Sequence, residues 1–205
     1  MSHIAILGIS GRVGSRIADE LLARGHAVTG IARNIGKVQP KPGLWLSQAD
    51  ATQADALLPL LRGHDAVVSA THFDGGIDAA AAIAATKKAG VPRLLVVGGA
   101  GSLEVAPGKA LVDSPEFPAA YKKEALAGRT FLETLRAEKE LDWTFLSPSA
   151  LLEPGKRTGS YRTGGDWLLA DATGKSWISM EDYAIAMVDE IEKPAHSRRR
   201  FTVGY

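Results

Sequence analysis

The chain has 205 residues, 45% of them hydrophobic and 23% charged, with a formal net charge of +1. That composition suits a globular domain with a sizeable core, and the near-neutral balance offers no general field for nucleic acid or an anionic membrane. There are no cysteines, which excludes disulfides, thiolate metal sites and cysteine nucleophiles, and fits a cytoplasmic protein. The N-terminus shows no basic and apolar leader pattern, and no apolar run is long enough to span a bilayer.

In chain order, Ile4 to Leu7 reads as a buried parallel strand. The stretch Gly8-Ile9-Ser10-Gly11-Arg12-Val13-Gly14 follows, and Arg16 to Arg24 reads as a helix ending at Gly25. Strand, glycine turn and helix together present free backbone N–H groups and a positive helix end to a phosphate. The glycine spacing is G-x-x-G-x-x-G. In this reading Gly8 takes the tight turn, Gly11 admits a pyrophosphate to the backbone, and Gly14 lets helix and strand pack closely.

Further strands are expected at 27–33, 44–50, 65–71, 93–99 and 143–148, with a short one at 201–203. Helices are expected at 53–61, 77–89, 121–141 and 183–192. Residues 101–117 read as a long loop, and 154–165 as a polar, turn-rich hairpin. Ser179 fits the cap of the last helix, with Asp182 as its third-position partner. Strands alternating with helices predict an α/β fold, a doubly wound parallel sheet with helices on both faces. The whole chain, 1–205, reads as one domain, with 149–205 forming a small C-terminal substrate or cap region.

Arg33 and Asn34 end the second strand, where an acid would bind the 2′-hydroxyl of NAD. An arginine there, with Arg12 close by, favours the 2′-phosphate of NADP, so NADPH is expected over NADH. Asp50 and Ala51 end the third strand; Asp50 is placed to accept from an adenine amino group, to cap the next helix, or both. Ala70 and Thr71 end the fourth strand, and Gly98 and Gly99 the fifth, where small residues leave room for the nicotinamide ribose. His72-Phe73 follows the fourth strand and is placed either to line the nicotinamide side of the crevice or, as the preferred reading, to set a surface histidine beside a core phenylalanine; Arg198-Arg199-Arg200 reads as a solvated basic triplet. The five histidines have no metal-ligand spacing.

These stretches, with Val96 to Leu103, Trp143 to Pro148 and Ile178 to Ala184, resemble the atypical short-chain dehydrogenases/reductases of the NADH-flavin reductase and NmrA-like NAD(P)-binding group. The resemblance spans most of the chain. It implies a Rossmann-type sheet, an NAD(P) site that also takes in Ser10, Val13, Ser147 and Pro148, and a substrate region built from C-terminal segments.

Catalytic members of the wider superfamily carry Tyr-x-x-x-Lys, in which lysine tunes the tyrosine as an acid. Here Tyr121 is followed four residues on by Ala125, and neither Tyr161 nor Tyr183 has a lysine at that spacing. The missing dyad suits hydride transfer to a flavin-like or quinone-like acceptor, with FMN or FAD as substrates, better than alcohol–ketone chemistry. Tyr121 and Ser102 are the candidate catalytic hydroxyls. A non-catalytic NADP-binding sensor is the alternative, and an epimerase or dehydratase is disfavoured by the same absence. The expected partner is a small-molecule acceptor, with no nucleic acid or membrane, and the chain is expected as a monomer or homodimer.

Overall fold

The computed structural model describes residues 1–205. The first half of the chain alternates β1 (His3–Leu7), α1 (Arg12–Ala23), β2 (Ala27–Ala32), β3 (Leu44–Gln48), α2 (Ala54–Leu61), β4 (Ala66–Ser69), α3 (Ala79–Lys88) and β5 (Arg93–Val97). A short hairpin of β6 (Glu104–Ala106) and β7 (Lys109–Ala110) precedes a 3₁₀ turn, Leu111–Asp113, and α4 (Ala119–Ala137). Then come β8 (Asp142–Pro148), β9 (Leu151–Glu153), β10 (Arg162–Gly164), β11 (Trp177–Ser179), α5 (Met180–Glu192) and β12 (Arg199–Gly204).

The main sheet has eight strands in the order β10-β12-β8-β5-β4-β1-β2-β3. Every pairing is parallel except the edge pair β10 with β12. Successive side chains of β1 alternate between two cores: Ile4 and Ile6 pack with α1 and α5, while Ala5 and Leu7 pack with α2, α3 and α4. Helices on both faces are what the nearly continuous apolar strands demanded. The winding direction reverses between β1 and β4, so the ends of these neighbours diverge into a crevice at Gly8 and Ala70.

The structure differs from the sequence reading at several element boundaries. The first helix begins at Arg12, four residues early, because Gly11 already serves as its N-cap. Helix α4 stops at Ala137, where Glu138 Oε1 accepts from the N–H groups of Glu140 (2.6 Å) and Leu141 (3.0 Å) and turns the chain into β8. The expected loop at 101–117 contains the β6–β7 hairpin and the 3₁₀ turn. The expected hairpin at 154–165 does not form: β10 pairs with β12 instead, and β9 pairs in parallel with β11.

Ser179 does cap α5, its Oγ accepting from the Asp182 N–H at 3.0 Å. Asp182 does not return the bond. Its carboxylate accepts from the N–H groups of Thr158 (2.8 Å) and Gly159 (2.9 Å) and from the Tyr205 hydroxyl (2.5 Å), so it fastens the 158–159 turn to α5. These bonds hold its carboxyl below the usual range against the opposing effect of burial. Within residues 149–205, α5 packs on α1 and β12 lies inside the main sheet.

Arg200 corrects the reading of the basic triplet. Alternation along β12 sends it into the protein, and its side chain is only 2% exposed. It pairs with Asp166 (Nε–Oδ1 2.6 Å), and its Nη2 reaches the Ser102 carbonyl at 3.4 Å.

Candidate functional site

The glycine turn is fixed by contacts that exclude side chains. Gly8 has φ of +90°, and a Cβ there would lie 2.5 Å from the Ala70 carbonyl oxygen. A Cβ on Gly14 would lie 2.4 Å from the Gly8 carbonyl oxygen. Gly11 is different: its φ of −78° suits any residue, and its added Cβ would meet the Gly8 oxygen at 3.2 Å. Helix α1 starts there with no side-chain cap and no acid in its first turn. Its first N–H groups thus remain available to an anion. The first and third glycines make the turn possible, and the second keeps its approach open.

Two adjoining cavities meet over this turn, sharing Ser10, Gly11, Ala70, Thr71 and His72. The smaller, about 360 Å³, is bordered by Gly8, Arg33, Asn34, Asp50 and Ala51. The larger, about 850 Å³, is bordered by Arg12, Val13, Gly98, Gly99, Ser102 and Tyr121. Ser147 and Pro148 border neither; Ser147 is buried, with its Oγ 3.4 Å from Arg200 Nη1. Gly14 acts from behind the turn, as helix-to-strand packing.

In the smaller cavity Arg33 is exposed and forms no ion pair, nor does Arg12 across the turn. Asn34 Oδ1 accepts from the Gly36 N–H at 3.0 Å and shapes its own loop. Asp50 does not cap α2, whose N-cap is Gln53. Its Oδ1 accepts from the Thr52 N–H (3.0 Å) and hydroxyl (2.8 Å), leaving Oδ2 without a protein partner. Those two bonds, with a smaller contribution from the Arg33 charge, hold the Asp50 carboxyl below the usual carboxylate range.

The larger cavity is walled by the loop after β4, the loop after β5, and the start of α4. Gly98 passes so close to β8 that a Cβ would lie 2.4 Å from the Phe145 ring. Phe73 stacks on Phe145 (centroids 5.9 Å apart) and meets Phe131 edge-on at 5.2 Å. His72 beside it is 88% exposed along its side chain. Glu124 of α4 clamps this loop by accepting the Phe73 N–H at 2.9 Å and the Asp74 N–H at 2.8 Å.

Among the four tyrosines, three are engaged away from the cleft. The Tyr183 hydroxyl donates to the Leu146 carbonyl at 2.7 Å, and Tyr161 donates to Asp189. Burial pushes both phenols above their ordinary range. Tyr205 is held by Asp182 and Ser179. Tyr121 is 67% exposed on the cleft wall, and its hydroxyl has no protein partner. The position a dyad lysine would take is Ala125, whose Cβ would lie 2.6 Å from a Cβ on Gly101. Helix α4 therefore packs on the loop after β5 closely enough to leave no room for a side chain at position 101. Ser102 lies in that loop, its Oγ 3.3 Å from Arg200 Nη1.

Sequence reading missed Glu124, Phe117, Leu111, Leu151 and Met180, which come to this cavity from separate segments with no shared motif. The burial of Arg200 was readable, since inward alternation from Phe201 and Val203 places position 200 on the opposite, α4-covered face.

A parallel sheet reversing at β1 and β4, with an uncapped helix and a Cβ-free turn at the reversal, defines a Rossmann-type dinucleotide-binding protein. The chain matches the NAD(P)H-binding family over residues 8–194, and it belongs to that family. It is 43% identical to the uncharacterized protein YwnB of Bacillus subtilis (strain 168), over 98% of this chain and 97% of that one. A solved structure from Bacteroides thetaiotaomicron, whose name proposes an epimerase, is 44% identical with a TM-score of 0.94, over 100% of this chain and 97% of that one. Another, from Streptococcus pneumoniae TIGR4, whose name proposes an NADH-flavin reductase, is 33% identical with a TM-score of 0.83, over 100% and 99% of the two chains. No helix is long and apolar enough to cross a membrane.

Proposed function

We propose that this chain is an NADPH-dependent reductase that delivers hydride to a flat flavin-like or quinone-like acceptor. The observation that carries the reading is the continuity of the two cavities across the glycine turn. The smaller cavity suits an adenosine, the turn a pyrophosphate, and the larger cavity a nicotinamide with room for a second ring. Arg33 and Arg12, both without ion pairs, support a 2′-phosphate and hence NADPH over NADH. Asp50 Oδ2 is the acceptor for an adenine amino group, and Asn34 keeps the loop in place beside it.

When bound, the reduced nicotinamide supplies a hydride. The protein's part is to hold the two rings in contact and exclude water, with Gly98 and Gly99 leaving space and Phe73 backing the wall. No lysine stands four residues after Tyr121 to complete an acid dyad, so an acceptor able to take its proton from water fits this site best. Ser102 is held by Arg200 as a hydrogen-bond donor toward the acceptor. The name of the Streptococcus pneumoniae neighbour agrees with the flavin reading. The lack of a dyad weighs against an epimerase, and it leaves an NADP-binding sensor without turnover as the second reading.

The test is NADPH oxidation with riboflavin, FMN and menadione as acceptors, in wild type and Tyr121→Phe. Turnover that survives the substitution within a few-fold supports direct hydride transfer. A loss of about 10²-fold or more in kcat, with NADPH affinity unchanged, would make Tyr121 a catalytic acid and return the carbonyl-reductase reading. NADPH binding without reduction of any acceptor would favour the sensor.

A further inference from the structure

The acceptor end of the large cavity differs in charge from the cofactor end, and this difference bears on which ring compounds can enter. Resting on the reductase reading, we infer that the acceptor is an uncharged planar ring compound without a phosphate, so that riboflavin or a neutral quinone is accepted and FMN is discriminated against.

The apolar surface there comes from Phe73, Leu111, Phe117, Tyr121 and Leu151. Two of these are open to solvent to an unusual degree for their type, Tyr121 at 67% and Leu151 at 47%. Uncovered aromatic and aliphatic groups on a cleft wall suit the faces of a flat ring.

The charged groups at this end are carboxylates. Glu116 is exposed, borders the cavity and forms neither a salt bridge nor a side-chain hydrogen bond. Both Glu124 carboxylate oxygens are engaged in the clamp to Phe73 and Asp74, with His72 Nδ1 at 3.4 Å. The nearby cations are committed or outside. Lys123 pairs with Asp74 at 3.0 Å, Arg129 pairs with Asp113 at 3.0 Å, and Lys122 does not border the cavity. Arg12 borders the glycine turn, where the cofactor's own phosphates belong.

One feature here attracts anions: helix α4 starts at Ala119 with no side-chain cap. Glu116 precedes it by three residues in the chain and borders the same cavity, so its exposed carboxylate adds negative charge on the side from which a phosphate would approach. A dianionic ester would enter against two negative charges with no free cation to receive it. The hydrogen and electron balance is unaffected by the tail. The acceptor gains the hydride, two electrons with one hydrogen, and one proton from water, while the nicotinamide is oxidised.

The experiment compares riboflavin with FMN, which differ only in the phosphate, and adds menadione as a neutral quinone. With wild-type protein and NADPH, kcat/KM for riboflavin and menadione should each exceed that for FMN by tenfold or more. Salt should narrow the riboflavin–FMN gap by screening, and Glu116→Lys should narrow it further. The second readout is binding of oxidised riboflavin and FMN to NADP⁺-loaded protein, followed by quenching of flavin fluorescence, with the same order expected. FMN equal to or better than riboflavin in both measurements overturns the inference and leaves the reductase reading intact. Riboflavin bound more tightly than FMN with no turnover of any acceptor overturns the reductase reading, while the cleft's selection against phosphate stands.

Discussion

The two ends of the cleft are built by different means. At the glycine turn the surface offered to a ligand is backbone: the N–H groups of the uncapped first turn of α1, held by contacts that leave no room for a Cβ at 8 or 14. At the acceptor end the surface is side chain, brought together from the loop after β4, the 3₁₀ turn, the start of α4 and β9. A backbone site tolerates almost no change because its atoms cannot be moved separately from the fold. A side-chain site assembled from loops can be altered one residue at a time, so it is the end at which specificity can drift.

The sharpest way to break this contrast is Gly11→Val. Position 11 has ordinary backbone angles and moderate space, so folding should persist, with a melting temperature within a few degrees of wild type. A branched side chain would stand in the path of the pyrophosphate, and NADPH affinity measured by calorimetry should fall by 10²-fold or more, roughly 3 kcal/mol. Unchanged affinity would remove the glycine turn as the phosphate site. By contrast, Gly14→Ala drives a Cβ toward the Gly8 carbonyl and should cost stability first, on the order of 2 to 4 kcal/mol by chemical denaturation.

Arg33→Asp tests the cofactor end for selectivity. Losing a charge-assisted contact and adding repulsion should weaken NADPH by about 2 to 4 kcal/mol, roughly 30- to 1000-fold, and leave NADH unharmed or improved. Equal weakening of both cofactors in calorimetry would show that Arg33 only shapes its loop.

At the acceptor end the expected effects are smaller. Glu124→Gln turns the clamp into an amide, whose single oxygen can accept from Phe73 or Asp74 while its N–H₂ accepts from neither. A loss of about 1 to 2 kcal/mol of stability is expected, with KM for the acceptor rising more than KM for NADPH. Equal changes in both would mean that the clamp supports the whole fold rather than that wall.

The smallest effect lies at the far end of the sheet. His64 Nδ1 is 3.0 Å from the Leu61 carbonyl, and its Nε2 is 2.9 Å from Thr29 Oγ1, which also lies 2.9 Å from His3 Nε2. The Leu61 carbonyl can only accept, so His64 Nδ1 donates to it, and the Thr29 hydroxyl links the Nε2 atoms of His64 and His3. Burial, then the neighbouring His64, lowers the His3 pKa. A group whose pKa is depressed on folding stabilises the folded state less as it becomes protonated, so stability should decline as the pH falls below the ordinary histidine value of about 6.5. Urea midpoints near pH 5 and near pH 7.5 should show a modest fall, and His3→Gln should flatten it. A midpoint that rises on acidification would contradict this arrangement.

The parallel sheet and the glycine turn were legible in the sequence because their signals are local. Apolar runs such as Leu94 to Val97 specify buried strands, and the glycines at 8, 11 and 14 carry a backbone requirement within one turn. Arg33 follows from the end of β2 alone. What escaped was set by distant partners. Asp182 was read as half of a capping box, but its partners are Thr158, Gly159 and Tyr205, which no local pattern announces. Family resemblance assigns Ser147 and Pro148 to the cofactor site, yet the depth of β8 in the sheet keeps them from the cleft. Ala125 could be seen to replace a lysine; that Gly101 presses on it could not.

The Glu124 clamp also bears on how the two ligands sense each other. It fixes to α4 the loop carrying His72, and His72 borders both cavities. On the proposed reading, settling of α4 around an acceptor would be transmitted to the rim of the smaller cavity, and closure around an adenosine there would be transmitted back. The two binding equilibria are then linked, and linkage is reciprocal: the factor by which NADP⁺ changes riboflavin affinity must equal the factor by which riboflavin changes NADP⁺ affinity. Glu124→Gln, by loosening the tie, should bring both factors toward one.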